Sequence, residues 1–207
     1  MSFEIEVALR RGGRTIAAQF AAGPGITALF GPSGVGKTTV LDMVAGLVRP
    51  DSGRIAVGGE VLFDAEHGIS LPPERRRCGY VFQDLRLFPH RTVRDNLLFG
   101  WRLAPPATRW LTLDEASAFL GIAALLDRMP ASLSGGEAQR VAIGRALLSA
   151  PRFLAMDEPL SSLDLPRRGE ILAVIERIRD ELGLPILYVS HDPAEVERLA
   201  GTVVMLG

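Results

Sequence analysis

The chain has 207 residues, 47% of them hydrophobic, and a formal net charge of −1. This length fits one domain, or one domain with a sub-lobe, and the apolar content is sufficient for a packed core. The near-zero charge provides no general attraction for nucleic acid, and the single cysteine, Cys78, excludes an internal disulfide and indicates a reducing compartment. No apolar run reaches the roughly 18 residues of a membrane span, so work at a membrane would require a partner.

The first third of the chain predicts a strand pair, a buried strand and a helix. Apolar residues alternate with glutamates over 3–9, and residues 15–20 are expected to form the paired strand. A short apolar run over 26–30 predicts a buried strand, and residues 38–47 have helical spacing. Two short strands are predicted within 54–63, followed by a surface loop over 64–77 whose charge run, 74–77, is expected to be solvated.

The remainder of the chain predicts three further buried strands and a helical insertion. The strands are expected at 80–82, 153–156 and 186–189, with helices at 170–182 and 193–199 and a last apolar run at 202–206. Helical spacing replaces strand patterns from 84 to 150, which predicts an inserted helical lobe between core segments 1–83 and 151–207. Strands that alternate with helices predict a parallel sheet covered on both faces.

A phosphate-binding loop is predicted between the strand at 26–30 and the following helix. The pattern of Gly, four residues and Gly-Lys-Thr is met by Gly31, Pro32, Ser33, Gly34, Val35, Gly36, Lys37, Thr38 and Thr39. Glycines let backbone N–H groups point at an anion, and the helix adds its positive N-terminal end. Lys37, the only lysine, would reach the β- and γ-phosphates, and the Thr38 hydroxyl would hold Mg²⁺. A Gly-rich strand-to-helix turn without a ligand is the alternative.

Polar residues follow three of the other predicted strands. Ligands of parallel sheets lie beyond the carboxyl ends of the strands, so these residues are expected to converge on one nucleotide. Asp157 would hold Mg²⁺, mostly through water, and Glu158 is placed to take a proton from an attacking water. His191 could donate to the γ-phosphate, and Gln83 could bind Mg²⁺ or water. Each residue also has an alternative interpretation. Asp157 and Glu158 could form a solvated acidic turn, His191 could simply stand at the start of a helix, and Gln83 could be a polar cap on a buried strand.

Two glycines stand at the predicted start of a helix in the stretch 133–137. A capping box accounts for Ser134 and Glu137, but not for Gly135 and Gly136, because a glycine inside a helix costs roughly 1 kcal/mol relative to alanine. Free N–H groups at a helix start suit a phosphate. Because the nucleotide already has a loop, we expect this helix start to cover the nucleotide of a second copy of the chain.

With these stretches assembled, the chain resembles the ATP-binding cassette (ABC) family over essentially its whole length. The resemblance is carried by GPSGVGKTT (31–39), Gln83 in YVFQD, LSGGE (133–137), FLAMDEP (153–159), SSLD (161–164) and VSHD (189–192). It implies an α/β fold of the P-loop NTPase type, with an antiparallel β subdomain and the inserted helical lobe. It also implies a homodimer that encloses two ATP molecules with Mg²⁺. Each site would take Ser134, Gly135 and Gly136 from the second copy, and Asp164 would lie at the dimer seam.

Within the family, the chain is similar to the ATP-binding subunits of molybdate importers. This implies an ATPase at the cytoplasmic face of the inner membrane that powers uptake of molybdate or a related oxyanion. Its partners would be membrane permease subunits and, indirectly, a periplasmic or extracellular substrate-binding protein. Importers of sulfate, iron or polyamines are the alternative. Near 84–96 the lobe would hold a coupling helix of the permease. The apolar contacts would be Leu85, Leu87, Phe88 and Pro89. The alternative is that these side chains belong to the ordinary core of the lobe.

Other classes of phosphate-loop protein fit less well. Non-transport cassette ATPases have long coiled-coil inserts or two tandem cassettes, which 207 residues do not accommodate. A regulatory GTPase needs an Asn-Lys-x-Asp motif, but the only lysine is Lys37. A phosphate-loop kinase would not explain LSGGE.

Three departures from the family pattern affect these expectations. Glu137 stands where the broad family has Gln, as in some importers. Many cassettes have an aromatic residue that stacks on adenine in the region occupied here by Leu9, Arg10 and Arg11. The planar guanidinium of an arginine could stack on adenine instead. The small β-rich oxyanion-binding domain that follows molybdate-type cassettes is expected to be absent from this chain.

Overall fold

The computed structural model describes all 207 residues and contains two five-stranded sheets. One sheet is antiparallel, with the strand order β2-β1-β4-β5-β6, and the other is parallel, with the order β10-β3-β9-β8-β7. The strands are β1 (Phe3–Arg11), β2 (Arg14–Ala22), β3 (Ile26–Phe30), β4 (Ser52–Val57), β5 (Glu60–Asp64), β6 (Ile69–Ser70), β7 (Cys78–Val81), β8 (Phe153–Asp157), β9 (Ile186–Ser190) and β10 (Thr202–Met205).

Seven α-helices accompany these strands. They are α1 (Lys37–Ala45), α2 (Pro73–Arg76), α3 (Val93–Leu103), α4 (Leu113–Leu120), α5 (Gly135–Leu148), α6 (Leu165–Arg177) and α7 (Pro193–Leu199). Three single 3₁₀ turns lie at Pro106–Thr108, Ala123–Leu125 and Pro130–Ser132, and a π-helical turn at Ile178–Leu182 extends α6. None of these helices combines the length and apolar character needed to cross a membrane.

The parallel sheet brings the four predicted strands together as neighbours. β3 pairs with β9, β9 with β8, and β8 with β7, all in parallel. Every residue of β8 and β9 is buried, because these central strands are covered on both faces, which explains their continuous apolar runs. The carboxyl ends of all four strands therefore lie along one edge of the sheet.

The segment between residues 84 and 150 contains helices and no strand. Its apolar side chains form one core with one side of the parallel sheet. Gly144 of α5 permits close packing of α3 and α4, because a Cβ there would lie 2.7 Å from Leu97 Cδ2 and 2.8 Å from Leu120 Cδ1. A side chain at this position would push the helices apart.

The structure differs from the sequence predictions at the start of α6 and in the loop over 64–77. α6 begins at Leu165 rather than near Glu170, because Asp164 caps it and accepts a hydrogen bond from the Arg167 N–H. The loop over 64–77 contains β6 and the single turn α2.

Within this loop, Arg76 is only 2% exposed, so the expectation that the whole charge run 74–77 is solvated is wrong. Its Nη1 donates to the carbonyl oxygens of Met43, at 2.7 Å, and Val44, at 3.1 Å. These carbonyls belong to the last turn of α1, whose partial negative charge compensates the buried cation.

Candidate active site

The loop between β3 and α1 presents unpaired N–H groups at the start of a helix. The N–H groups of Gly36, Lys37, Thr38 and Thr39 have no acceptor within the chain, and the first turn of α1 contains no acidic residue. Gly36 has φ 109°, and a Cβ there would lie 2.7 Å from Ile16 Cγ2, so both conformation and space require glycine. Such a group of free donors, at the positive end of a helix, fits an anion such as a phosphate.

Lys37 lies buried at the base of this loop. Its ammonium Nζ donates to the carbonyl oxygens of Gly31, at 2.8 Å, and Pro32, at 2.9 Å. Its hydrogen bonds are to these two carbonyl oxygens alone, although its charge also acts on Asp157, where burial raises the pKa of the carboxyl and the ammonium opposes that shift. A buried ammonium with only neutral hydrogen-bond partners is well suited to bind an anion that enters the loop.

Thr38 and Asp157 join the start of α1 to the end of β8. Thr38 Oγ1 donates to Asp157 Oδ1 over 2.9 Å, and Asp157 is only 6% exposed. Burial raises the pKa of the Asp157 carboxyl above its ordinary value, while the Thr38 hydrogen bond opposes this shift.

These two side chains provide hard oxygen ligands, but no cluster of three or more His, Cys, Asp or Glu side chains that could hold a metal is present. This donor set fits Mg²⁺, which keeps several waters and binds through one or two protein oxygens together with substrate phosphates. The residues present therefore suit a cation that arrives with a phosphate compound rather than a dedicated protein cage.

Glu158 and His191 meet at the ends of β8 and β9. His191 Nδ1 lies 3.2 Å from Glu158 Oε2, and the histidine side chain is 55% exposed while that of Glu158 is 18% exposed. Glu158 has φ 42°, an uncommon conformation for a residue other than glycine, and its N–H donates to the Val189 carbonyl. The backbone of Glu158 is thus fixed by β9, and a carboxylate and an imidazole lie together at the edge of the sheet.

Gln83 lines the same cleft as Thr38 and Asp157. The cleft has a volume of about 810 Å³ and is also lined by Tyr80 and Ser161. Gln83 Nε2 donates to Ser161 Oγ at 3.4 Å, a long bond that leaves the amide available to other partners. β7 ends at Val81, so Gln83 stands two residues beyond the strand rather than directly after it.

The turn at Ser134 forms the capping box that the sequence indicates. The Ser134 N–H donates to Glu137 Oε2 at 2.7 Å, and the Glu137 N–H donates to Ser134 Oγ at 3.4 Å. A Cβ at Gly135 would lie 3.2 Å from Leu163 Cδ2, which gives a reason within the chain for one of the two glycines. No hydrogen bond joins this turn to the phosphate loop, so the structure does not bring it together with the other site residues.

Asp164 and the remaining predicted contacts do not line the cleft of Thr38, Asp157 and Gln83. The Asp164 side chain is 56% exposed at the cap of α6. Arg10 is exposed and its N–H donates to Asp51 Oδ2. Leu85 and Leu87 pack partly against the helical core, whereas the Phe88 ring contacts the Phe99 ring at a tilt of 53°.

Two residues beside the Glu158–His191 pair carry no sequence signal. Arg168 and Glu195 line a small pocket of about 40 Å³ together with both residues of the pair. Each lies on a short polar stretch of a helix, so the pattern predicts an exposed side chain, whereas Glu195 is 7% exposed. Arg168 and Glu195 lie beside the end of β9 only in the folded chain, so the local sequence does not reveal their position.

Comparisons with known proteins agree with the motifs. Residues 16–161 match the family model described as "ABC transporter". The chain is 58% identical over 203 residues to the Molybdenum import ATP-binding protein ModC of Rhodospirillum rubrum, covering 98% of this chain and 55% of that protein. It is 61% identical over 198 residues to the protein of the same name from Brucella abortus, covering 95% and 55%. The chain therefore spans about 55% of the length of these curated relatives.

Two solved structures have a similar fold. The dimeric structure of MJ0796, a bacterial ABC transporter cassette, has a TM-score of 0.77 and 23% identity, covering 99% of this chain and 93% of that one. A dimeric post-hydrolysis state of the same cassette bound to ADP and Pi has a TM-score of 0.76 and 22% identity, with the same coverage. At this level of identity the likeness concerns the fold alone.

Proposed function

Because the chain belongs to the ABC transporter family and has the fold of an ABC ATPase cassette, we propose that it is the ATP-hydrolysing subunit of a molybdate importer. The observation that carries this proposal is the convergence of the phosphate loop, the Thr38–Asp157 pair and the Glu158–His191 pair at one edge of the parallel sheet. The cargo is taken from the relatives, which are named as molybdenum import proteins and match nearly the whole of this chain.

ATP binding is assigned to the loop 31–39. The unpaired N–H groups of 36–39 and the Lys37 ammonium would donate to the phosphates. The Thr38 hydroxyl and Asp157 would hold Mg²⁺, with Gln83 lining the same cleft. Bound there, Mg²⁺ would neutralise charge on the β- and γ-phosphates.

Hydrolysis is assigned to Glu158 and His191. Glu158 takes a proton from the water whose oxygen forms the new bond to the γ-phosphorus, while the bond from that phosphorus to the bridging oxygen breaks and ADP leaves. The one polar partner of the His191 ring is Glu158, which is also the proposed base. We therefore assign His191 an exchange of partners, from Glu158 to the γ-phosphate, that frees the carboxylate to act as the base.

A second copy of the chain is proposed to complete each site. Gly135 is exposed at the start of α5, where the helix N-terminus and Ser134 are available to a nucleotide held by the partner. Asp164, exposed at the cap of α6, is assigned to the seam. ATP would favour the closed pair because it contacts both copies only in that state, and its hydrolysis removes this bias.

Transport itself is assigned to partners of the chain. Residues 84–150 are proposed as the helical lobe that receives a coupling helix of the permease, with Leu85, Leu87 and Phe88 among the contacts, and 1–83 with 151–207 as the nucleotide-binding core. The chain would act at the cytoplasmic face of the membrane, with a substrate-binding protein on the other side.

Replacing Glu158 with Gln tests the hydrolytic assignment. The variant is expected to bind ATP with Mg²⁺ as the original chain does, to lose phosphate release by about 100-fold or more, and to accumulate as a nucleotide-bound dimer. Glu197→Gln, on the exposed face of α7, is the matched control and should leave all three measurements unchanged. Phosphate release at the original rate from Glu158→Gln would remove Glu158 from the base role.

The cargo is tested separately in cells. A bacterial strain that lacks the ATP-binding subunit of its molybdate importer, but retains the permease and binding protein, would express this chain or its Lys37→Ala variant. Labelled molybdate is expected to accumulate only with the unaltered chain, and labelled sulfate serves as the comparison. Uptake of sulfate without molybdate would reassign the cargo while leaving the ATPase assignment in place.

A further inference from the structure

Arg168 connects three parts of the chain around the proposed catalytic pair. It lies in the first turn of α6, and its Nε donates to the Leu163 carbonyl oxygen at 2.9 Å. Its Nη1 donates to Asp192 Oδ2 at 3.4 Å and lies 3.9 Å from Glu195 Oε1. One guanidinium therefore joins the segment before α6, the turn after β9 and the first turn of α7.

Glu195 is a buried carboxylate whose nearest cation is Arg168. It is 7% exposed, and its Oε2 accepts hydrogen bonds from the Tyr188 hydroxyl at 2.9 Å and from Ser190 Oγ at 2.8 Å. A carboxylate removed from water is costly unless hydrogen bonds and a positive charge compensate it. Loss of the guanidinium would leave this charge with hydroxyl partners only.

The Glu195 hydrogen bonds reach the backbone on both sides of His191. Ser190 Oγ, which donates to Glu195, also accepts a hydrogen bond from the Asp192 N–H at 3.0 Å. The residue before His191 is thus bonded to Glu195, and the residue after it to Arg168 and to Ser190. The imidazole itself is more than half exposed and has Glu158 as its one polar partner. The position of the ring therefore depends on how firmly its two neighbours are held.

The small pocket described above is a second observation on the same group of residues. All seven of its lining residues are polar or charged, and they include Glu158, His191, Arg168 and Glu195. Its volume of about 40 Å³ suits one or two waters, not a ligand. Arg168 and Glu195 thus face the same enclosed polar space as the proposed base.

We propose that Arg168, through Asp192 and Glu195, is a positioning residue that holds the His191 turn against Glu158 and ties it to the Leu163 segment. The proposal rests on the function proposed above for His191 and Glu158. The hydrogen bond from Arg168 to the Leu163 carbonyl gives this proposal a further consequence. Leu163 also lies against Gly135, so a displacement of the segment 161–164 at a dimer seam would reach the His191 turn through one side chain.

Arg168→Met tests the proposal, with Arg198→Met as the matched control. Arg198 also links α6 to α7, through two 2.8 Å bonds to Glu176, but it bonds to no residue of the His191 turn. Arg168→Met is expected to lower kcat for ATP hydrolysis by about 10- to 100-fold, the range for residues that orient catalytic groups, with nucleotide affinity within twofold. Arg198→Met should leave kcat unchanged.

A spectroscopic measurement tests the positioning without any turnover. The chain has three histidines, so the ring signals of His67, His90 and His191 can be resolved by NMR. Arg168→Met is expected to shift the His191 ring signals and to leave those of His67 and His90 in place. If this variant does not fold, Arg168→Lys replaces it, because an ammonium keeps the charge beside Glu195 but lacks the two separate nitrogens, Nε and Nη1, that bond Leu163 and Asp192.

The outcomes separate the two proposals. An unaltered kcat in a folded Arg168 variant, a loss equal to that of Arg198→Met, or unmoved His191 signals would overturn the positioning role. An original chain that binds no ATP would instead refute the function proposed for the cassette, and the His191 signals would still decide the positioning role.

Discussion

Thr38 Oγ1 donates a hydrogen bond to Asp157 Oδ1 over 2.9 Å, and this bond joins residues 119 positions apart in the chain. It fixes the first turn of the helix that carries the phosphate loop against the end of a central strand. The two oxygens that we assign to Mg²⁺ are therefore held in position before any cation binds, which lowers the cost of ordering them when it does.

Thr38→Val should remove the hydrogen bond to Asp157 with little change in side-chain volume. We expect Mg²⁺-dependent ATP hydrolysis to fall by about 10- to 100-fold, since both a ligand and the partner of Asp157 are lost. Thr38→Ser retains the hydroxyl and should remain within a few-fold of the original chain. Mg²⁺ titrations of phosphate release distinguish the two variants, and an unchanged Mg²⁺ requirement in Thr38→Val would contradict the assignment.

Asp157→Asn should stabilise the ligand-free chain while it lowers the rate of ATP hydrolysis. Burial raises the pKa of Asp157, so ionisation is less favourable in the folded chain than in the unfolded one, and stability is lost as pH rises through the folded pKa. Asparagine carries no charge and retains an oxygen that accepts from Thr38, so we expect a larger free energy of unfolding at pH 7.

The advantage of Asp157→Asn should shrink as pH falls, because the carboxyl of the original chain then becomes protonated. Urea unfolding at pH 7 and pH 4 measures this change, and ATP hydrolysis should fall by about 100-fold in the same variant. A variant less stable than the original chain at pH 7 would show that the charge of Asp157 is compensated within the fold.

Lys37→Ala tests the loop assignment through nucleotide binding. The ammonium is buried and bonds only to the carbonyl oxygens of Gly31 and Pro32, so it is available to an anion that enters the loop. The variant should weaken nucleotide binding by about 10- to 100-fold, the value of a hydrogen bond to a charged group. Unchanged ATP affinity in a folded Lys37→Ala variant, measured by titration with ATP and Mg²⁺, would contradict the loop assignment.

Gly136→Ala separates the role of the Ser134 turn in a second copy from its role in folding. A Cβ at Gly136 would lie 3.6 Å from Arg167 Cδ, an ordinary contact, and alanine favours a helix by roughly 1 kcal/mol over glycine. The single chain should therefore be as stable as the original or more so. ATP-driven dimerisation, measured by light scattering, and hydrolysis are expected to fall by about tenfold or more.

Gly169→Ala on α6 is the control for this substitution. A Cβ there meets no atom within 4 Å, so the variant should gain stability and keep both dimerisation and activity. If Gly136→Ala behaves in the same way, the turn does not contact a nucleotide closely in the dimer.

The sequence predicted the parallel sheet and its polar edge because each relevant strand is a short apolar run that ends in Asp157-Glu158, in His191 or in the phosphate loop. Hydrophobic periodicity and the residues that follow a strand can be read from a few neighbouring positions in the sequence. Most of the candidate site consists of residues at such strand ends. It also predicted the Ser134–Glu137 capping box, which depends on four consecutive residues.

The features that could not be predicted depend on partners distant in the chain. Arg76 is buried because it donates hydrogen bonds to the carbonyls of Met43 and Val44. The sequence of the run 74–77 contains no sign of these partners. Glu195 is buried because Tyr188, Ser190 and Arg168 surround it after folding. The early start of α6 was missed because residues 165–169 lack helical apolar spacing, although Asp164 and Pro166 are typical of a helix N-terminus.

The helix α1 is anchored at both of its ends, and this has a mechanical consequence. Its first turn is bonded to Asp157, while its last carbonyls and the neighbouring Gly46 lie against the Arg76 guanidinium, which is itself bonded to the Leu71 carbonyl. The Leu71 N–H in turn donates to the Leu62 carbonyl of the antiparallel sheet. One nine-residue helix thus ties the phosphate loop to both sheets, so a change in how the two sheets lie relative to one another must alter at least one of these bonds at its ends.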